Sequence, residues 1–425
     1  MEENVSIGDE NSPFKVTVDK YCNYIIEIKK LIDQPRVGIE DDDSNIVPAE
    51  SPGKINSMTN INFLDFVNEI SEATRTLSLN GKDVFLRYGK RLEDQDIQNL
   101  LIFLRENPAI VDLDLSFNDI HCDGFIDIIN YLTAHEQIVR LNLQNNEIRT
   151  KGVAHLCESG DNLKLEVLWL NGNKFGVESS KQLALMLSKN RWLRELNVAE
   201  VDQTASSLVY FTTILRHDQD LHNATLKTLN ISSPHPGCMY YFDSAHFATL
   251  IGSMLKTNKC LQNLHIQKFG FTCHDIELMF VDGKLNRTLL LLDLSGNNIG
   301  DFGVEFIAEW LAKKPAISRL VLAHNIITSA GARALSQGLP FSKIKHLDIS
   351  YNRIDDFGIS DILNTLKKSP CIRSLKLFGN CVGYESSKII NRMLLSGVLV
   401  QNHLDVRPYR VNHEWQCALY QEEHF

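Results

Sequence analysis

The chain has 425 residues, 44% hydrophobic and 23% charged, with a formal net charge of −10. That length suits one large domain or a few ordinary ones, and the composition is that of a globular protein. An acidic balance without a Lys/Arg-rich stripe argues against direct nucleic-acid binding, and no apolar run approaches the thickness of a bilayer.

The start, Met1-Glu2-Glu3-Asn4-Val5, has neither the basic nor the apolar part of a secretory signal, so the chain reads as not secreted. Residues 1–60 hold 12 Asp/Glu and 6 Lys/Arg, which places −6 of the −10 there. They read as a largely disordered acidic region, polar and bearing Pro, Gly and Ser. One amphipathic helix, about 19–33, is predicted within it from Tyr21, Tyr24, Ile25, Ile28, Leu31 and Ile32 at helical spacing. Either a cap on the following domain or a detachable partner-binding segment fits that helix. Phe63, Phe66, Val67 and Ile70 predict a further capping helix.

From residue 61 to 395 the chain repeats. Aligning Ile110–Leu132 with Ile138–Gly160 maps Leu113 to Leu141, Leu115 to Leu143, Asn118 to Asn146, Ile120 to Ile148 and Gly124 to Gly152, each step 28 residues. The pattern Leu-x-x-Leu-x-Leu-x-x-Asn-x-Ile-x-x-x-Gly returns with Asn173, Asn297, Asn325, Asn352 and Asn380. Alternation in a strand turns Leu113 and Leu115 inward and Asp114 outward. The Asn amide can satisfy backbone groups at the turn leaving the strand, so these seven asparagines are predicted as structural. The glycine opens a helical half. No repeat can bury its own apolar face, so stacking must close the core.

The middle of the array degenerates. Val201, Pro234 and Phe269 stand where Asn belongs, and the steps Leu196–Leu229 and Leu229–Leu264 lengthen to 33 and 35 residues. Extra residues must lie in surface connections. The period lapses over Leu229–Phe247, and within it residues 233–243, with Tyr240, Tyr241 and Phe242, read as an insertion loop, part structural and part contact site. With a first longer copy at Leu77/Leu79, about eleven repeats are expected: an α/β solenoid, strands concave, helices convex. Residues 396–425 read as a capping tail of short strands.

Chemistry is sparse. There is no phosphate-binding Gly-x-x-x-x-Gly-Lys loop, no Gly-x-Ser-x-Gly and no His-Glu-x-x-His. His235, Cys238 and His246, with Cys260 and Cys273, fit no zinc spacing. The nine scattered cysteines read as reduced thiols of a cytosolic or nuclear protein, so Asn223, Asn230 and Asn286 are not expected to be glycosylated. Asp114, Asp293 and Asp348 share one repeat position, which suggests concave polarity rather than acid–base work. No enzyme, cofactor or metal is predicted. Binding is: Phe117, Arg140, Val167, Trp169, His265, Leu291, Val321, His346, Tyr351 and Phe378 fall on outward strand positions or strand exits, where apolar and aromatic groups on a rigid frame act as recognition anchors.

The repeats resemble the ribonuclease-inhibitor-like leucine-rich-repeat class over roughly residues 75–395. A closer resemblance, to a member of that class from germ and stem cells, rests on Thr225–Pro234, Leu264–Glu277 and Leu404–Cys417; residues 1–60 carry none of it. That resemblance implies a non-enzymatic protein of nucleolus and cytoplasm, tied to differentiation or pluripotency and associating with nucleolar proteins such as nucleophosmin; the chain itself is expected to be a monomer with no membrane partner. Related repeats also occur in structural components of cilia and flagella. They occur too in Ran-type GTPase-activating proteins, which carry an acidic tail after the arc; here the acidic run precedes it. Ribonuclease inhibition fits less well, because this concave face mixes charges.

Overall fold

The computed structural model describes residues 61–71, 73–175, 177–203, 205–234, 243–366 and 372–420. The acidic region 1–60, its helix at 19–33 and the insertion residues Tyr240, Tyr241 and Phe242 lie outside these.

The Leu-x-Leu alternation produces one sheet in chain order. An edge strand β1 (Val67–Glu69) precedes β2 (Arg75–Ser78), β3 (Ile110–Asp114), β4 (Arg140–Asn142), β5 (Val167–Trp169), β6 (Glu195–Asn197) and β7 (Thr228–Asn230). There follow β8 (Asn263–His265), β9 (Leu291–Asp293), β10 (Arg319–Val321), β11 (His346–Asp348) and β12 (Ser374–Lys376). β2 to β12 are parallel, and the repeat leucines stack in register, Leu292 on Leu320 on Leu347 on Leu375. All four are buried, and a helix follows each strand on the outer side. The helix Asp301–Ala312 turns Val304, Ile307, Ala308 and Leu311 inward, the three- and four-residue spacing of one helical face. The architecture is an α/β leucine-rich-repeat solenoid.

The helix starts are tied across repeats. Asp301 Oδ1 accepts the N–H of Thr328 at 2.8 Å and of Gly331 at 2.9 Å, capping the following helix from the preceding repeat. A Cβ on Gly331 would lie 2.7 Å from that same oxygen, which is why the repeat needs glycine there.

Each Asn side chain bridges two repeats. Asn325 Nδ2 donates to the carbonyls of Leu294 and Leu322, both at 3.1 Å, while its Oδ1 accepts from Ile299 N–H at 3.0 Å. Asn118, Asn146, Asn173, Asn297, Asn352 and Asn380 make the equivalent contacts. The residue just before each Asn is left-handed: Phe117, Asn145, Gly172, Gly296, His324, Tyr351 and Gly379 all have positive φ. Glu200, Ser233 and Lys268 keep that conformation in the degenerate repeats. The twist aims the backbone N–H at the next repeat, as in Tyr351 N–H to Phe378 O at 2.8 Å.

Where this ladder lapses, a second one begins at the opposite edge of the sheet. Asn190, Asn223, Asn258 and Asn286 are buried in the turns leaving the helices. Asn223 Nδ2 donates to Leu187 O at 2.7 Å, and its Oδ1 accepts from Thr225 and Leu226 N–H at 2.9 and 2.8 Å. The other three repeat this arrangement. Asn223 and Asn286 thus have their amides engaged inside the fold. At the strand exits of the same stretch, aromatic packing replaces the missing amides: Phe269 stacks on Phe271 and Phe247 with ring centroids 5.3 Å apart in each case.

Both ends of the sheet are covered. The capping helix expected over Phe63–Ile70 is instead a 3-10 turn, Phe63–Phe66, followed by β1, which runs antiparallel to β2. Only Phe63 and Phe66 are buried while Ile70 is exposed, so one turn suffices and the extended residues pair with the sheet edge. At the other end Leu404 pairs with Leu375, and the tail folds into a hairpin of β13 (Val406–Val411) and β14 (Glu414–Leu419). Its two-residue turn, Asn412-His413, has positive φ at both positions, matching the strand twist. Asp405 accepts the N–H groups of Leu377 at 2.7 Å and Phe378 at 3.1 Å, supplying oxygens where the next repeat would have been.

The concave face as a candidate interaction surface

The last residue of each strand from β3 to β12 points to the concave side, and its chemistry divides the surface. Asp114, Asn142, Asn197, Asn230, Asp293 and Asp348 all fold back to accept the N–H two residues on, at 3.0 to 3.2 Å. This is an Asx turn closing the strand exit. Trp169, His265, Val321 and Lys376 occupy the same position without that duty.

Trp169 is half-buried, and its Nε1 donates to Glu195 Oε1 at 2.8 Å, which holds the indole on the neighbouring strand. Val167 lies beside it, also half-buried. Arg140 is exposed and reaches back to Asp112 Oδ2 at 3.2 Å. Phe117, in the strand exit, lies under the Lys82 ammonium, 4.4 Å from its ring centre.

Two expected anchors are not free surface. His265 Nδ1 lies 3.2 Å from Asp293 Oδ2, an oxygen that Gln267 Nε2 also meets, while Ser295 donates N–H and O–H to Oδ1. Burial alone would raise the Asp293 carboxyl, but the hydrogen bonds from His265 and Ser295 outweigh it and hold the group below the usual carboxylate range. Asp293 is only 6% exposed and Leu291 only 8%. Leu291 is flanked in register by Asn263 on β8 and Arg319 on β10. Leu291 is therefore part of the packing, contrary to the expectation from alternation.

At the strand exits of β10 to β12 three rings meet. His324 and Tyr351 stack with centroids 4.3 Å apart and planes 7° from parallel, and Tyr351 meets Phe378 edge-on at 5.7 Å. His324 was not among the expected anchors; its signal was only its place one step before Asn325. Tyr351 stays 47% exposed. Val321 and His346 are half-buried on the same strands. Burial and the charges of Arg319, Arg373, Lys345 and His403 all lower the pKa of His346. Among the described residues no group of three His, Cys, Asp or Glu could hold a metal ion, and no helix is long and apolar enough to cross a membrane. His235 and Cys238 lie outside the described residues.

A family profile described as "Leucine Rich repeat" matches residues 285–308 and 342–363. The chain is similar to NACHT, LRR and PYD domains-containing protein 12 of Mus musculus, 25% identical over 309 residues, covering 66% of this chain and 28% of that protein. It is similar to ribonuclease inhibitor of Mus musculus, 27% identical over 274 residues, 63% of this chain and 58% of that protein. Leucine-rich repeat-containing protein 34 of Mus musculus is 28% identical over 218 residues, 51% of this chain and 50% of that protein. The chain spans less than two thirds of the length of each of these relatives. They support a ribonuclease-inhibitor-like leucine-rich-repeat protein. The identity to leucine-rich repeat-containing protein 34, 28%, is within one percentage point of the 27% to the inhibitor.

Proposed function

We propose that this leucine-rich-repeat arc is a non-catalytic scaffold that holds a protein partner on its concave face. The carrying observation is the set of partly exposed aromatic rings, Trp169, Tyr351 and Phe378, each fixed by a neighbour in the next or preceding repeat. Rings already immobilised lose little side-chain entropy on binding, which makes them effective anchors. Leucine-rich-repeat proteins bind protein partners generally, and the backbone ladders keep this surface rigid.

The finer reading follows leucine-rich repeat-containing protein 34. On it the protein is a monomeric factor of nucleolus and cytoplasm in germ and stem cells, working in differentiation with nucleolar partners such as nucleophosmin. What supports this is the resemblance in Thr225–Pro234, Leu264–Glu277 and Leu404–Cys417. The test is crosslinking of the tagged full chain in germ-line cells, beside a Trp169→Ala/Tyr351→Ala/Phe378→Ala variant. Nucleophosmin captured by the wild type and lost in the variant is the expected result. Axonemal proteins in its place would overturn the compartment, and unchanged capture by the variant would overturn the surface.

A further inference from the structure

The starts of β10, β11 and β12 gather positive charge on a chain that is acidic as a whole. Arg319 pairs in register with His346, and His346 with Ser374. One residue earlier, Lys345 N–H bonds Ser318 O at 2.8 Å and Arg373 N–H bonds Lys345 O at 2.7 Å, so these positions also line up across the strands. His403 joins them from the turn Gln401–His403, just before Leu404 pairs with Leu375. Arg319, Lys345, Arg373 and His403 all lie close enough to act electrostatically on His346.

Elsewhere along the arc several cations are answered by the adjacent repeat: Arg140 by Asp112, Arg194 by Glu166, Lys256 by Asp282, Arg333 by Asp361. Arg319, Lys345 and Arg373 are exposed, and among the described residues none has a carboxylate at ion-pair distance. A cationic corner left unanswered in an acidic protein is electrostatically complementary to carboxylates. At the far ends of the same three strands lies the shelf of His324, Tyr351 and Phe378. Five residues separate Arg319 from His324 and His346 from Tyr351, about 15 Å of extended chain.

We propose that this three-strand band seats an acidic peptide segment of a protein partner, with its carboxylates on Arg319, Lys345 and Arg373 and an apolar side chain on the Tyr351–Phe378 shelf. The proposal rests on the concave-face reading above and names the chemistry of its partner. The apolar residue follows or precedes the acidic run by about four to five residues, the length of the band. A nucleic acid fits less well. A phosphate backbone needs a continuous cationic track, whereas Asp348, paired with Lys376 at 3.5 Å, and Asp405 interrupt this one.

The test is fluorescence anisotropy of the full chain with a labelled octapeptide: three glutamates, a four-residue Ser/Gly spacer and an amidated phenylalanine. Arg319→Gln/Arg373→Gln, both exposed positions, is expected to weaken binding about tenfold with an unchanged unfolding midpoint, an effect that shrinks as salt rises. Changing the peptide's phenylalanine to alanine is expected to weaken binding to wild type about fivefold and to Tyr351→Ala hardly at all, the coupling that marks direct contact. Equal binding to the Arg319→Gln/Arg373→Gln protein, or equal loss on both partners of the phenylalanine cycle, would overturn the proposal. So would tighter binding of a uridine octanucleotide. A full chain with Glu40→Gln, Asp41→Asn, Asp42→Asn and Asp43→Asn that binds the peptide much more tightly would overturn the partner as occupant and point to this chain's own acidic run. If the peptide fails while Trp169→Ala/Tyr351→Ala/Phe378→Ala still loses its cellular partners, the ligand class is wrong and the concave-face reading stands.

Discussion

Gly379 lies against Tyr351 so closely that a Cβ there would sit 2.6 Å from the ring, and its own φ is +82°. The orientation of Tyr351, flat on His324 and edge-on to Phe378, therefore depends on the next repeat offering no side chain. Gly379→Ala is expected to destabilise the protein by about 2 kcal/mol, from left-handed strain and the clash together. Urea denaturation reads the loss, and the ring-current shift on the His324 imidazole protons reads the displaced stack. A neutral substitution would mean the backbone can relax around the ring.

Cutting the helix-side asparagine ladder should cost at least as much as cutting the strand-exit one. Asn325→Ala strands the N–H of Ile299 and removes one of two donors from Leu294 O and from Leu322 O, which keep Asn297 and Asn352, whereas Asn223→Ala strands Leu187 O with the N–H groups of Thr225 and Leu226. Each is expected to cost about 2 to 4 kcal/mol, because buried backbone groups are left without partners. Chemical denaturation of both variants settles whether the helix-side ladder carries load or merely accompanies it.

The pH response has a definite sign. His346 has a folded pKa below its unfolded value, so the folded chain takes up its proton less readily than the unfolded one. The stability this residue contributes is complete above the unfolded pKa, about 6.5, and is lost as pH falls below it towards the folded pKa. His346→Gln is expected to flatten the fall in melting temperature between neutral pH and pH 5. Asp405 runs the opposite way: burial raises its pKa, so the stability it contributes is complete below its unfolded value and is lost as pH rises through the folded one.

Asp405 also offers a local readout. Asp405→Ala leaves the N–H groups of Leu377 and Phe378 without their acceptors, and hydrogen exchange at those two amides is expected to accelerate at least tenfold. Exchange in β3 to β6 should not change, because each repeat contacts chiefly its neighbours.

How much of this was readable from residue types alone varies along the chain for physical reasons. The strands from Leu77 to Leu375 were legible because inward leucines and the strand-exit Asn recur at nearly constant steps. The helix-side ladder was not, although each member stands in an Asn-x-x-Leu run, because its steps of 33, 35 and 28 residues hide the period. β1 was missed because Phe63 and Phe66 at a three-residue spacing suit a helix and a single 3-10 turn alike. On the concave face, alternation turns Trp169 and His265 outward. It could not reveal that Glu195 holds one and Asp293 the other, since those partners are 26 and 28 residues away. Alternation also turns Leu291 outward, yet it is buried between β8 and β10.

The change of ladder from one edge of the sheet to the other makes the middle of the arc the natural place for new sequence. At the exit of β7, Pro234 stands where an asparagine would otherwise staple two repeats, so no ladder amide at that position holds the chain leaving the strand. Lengthening it carries only the slow logarithmic entropy of a longer loop, about 0.6 kcal/mol per doubling. The same graft after β11 would have to tear Asn352 from Leu322, Ile349 and Ile327. A tag, an epitope or a second binding module spliced into the first position would leave the solenoid standing.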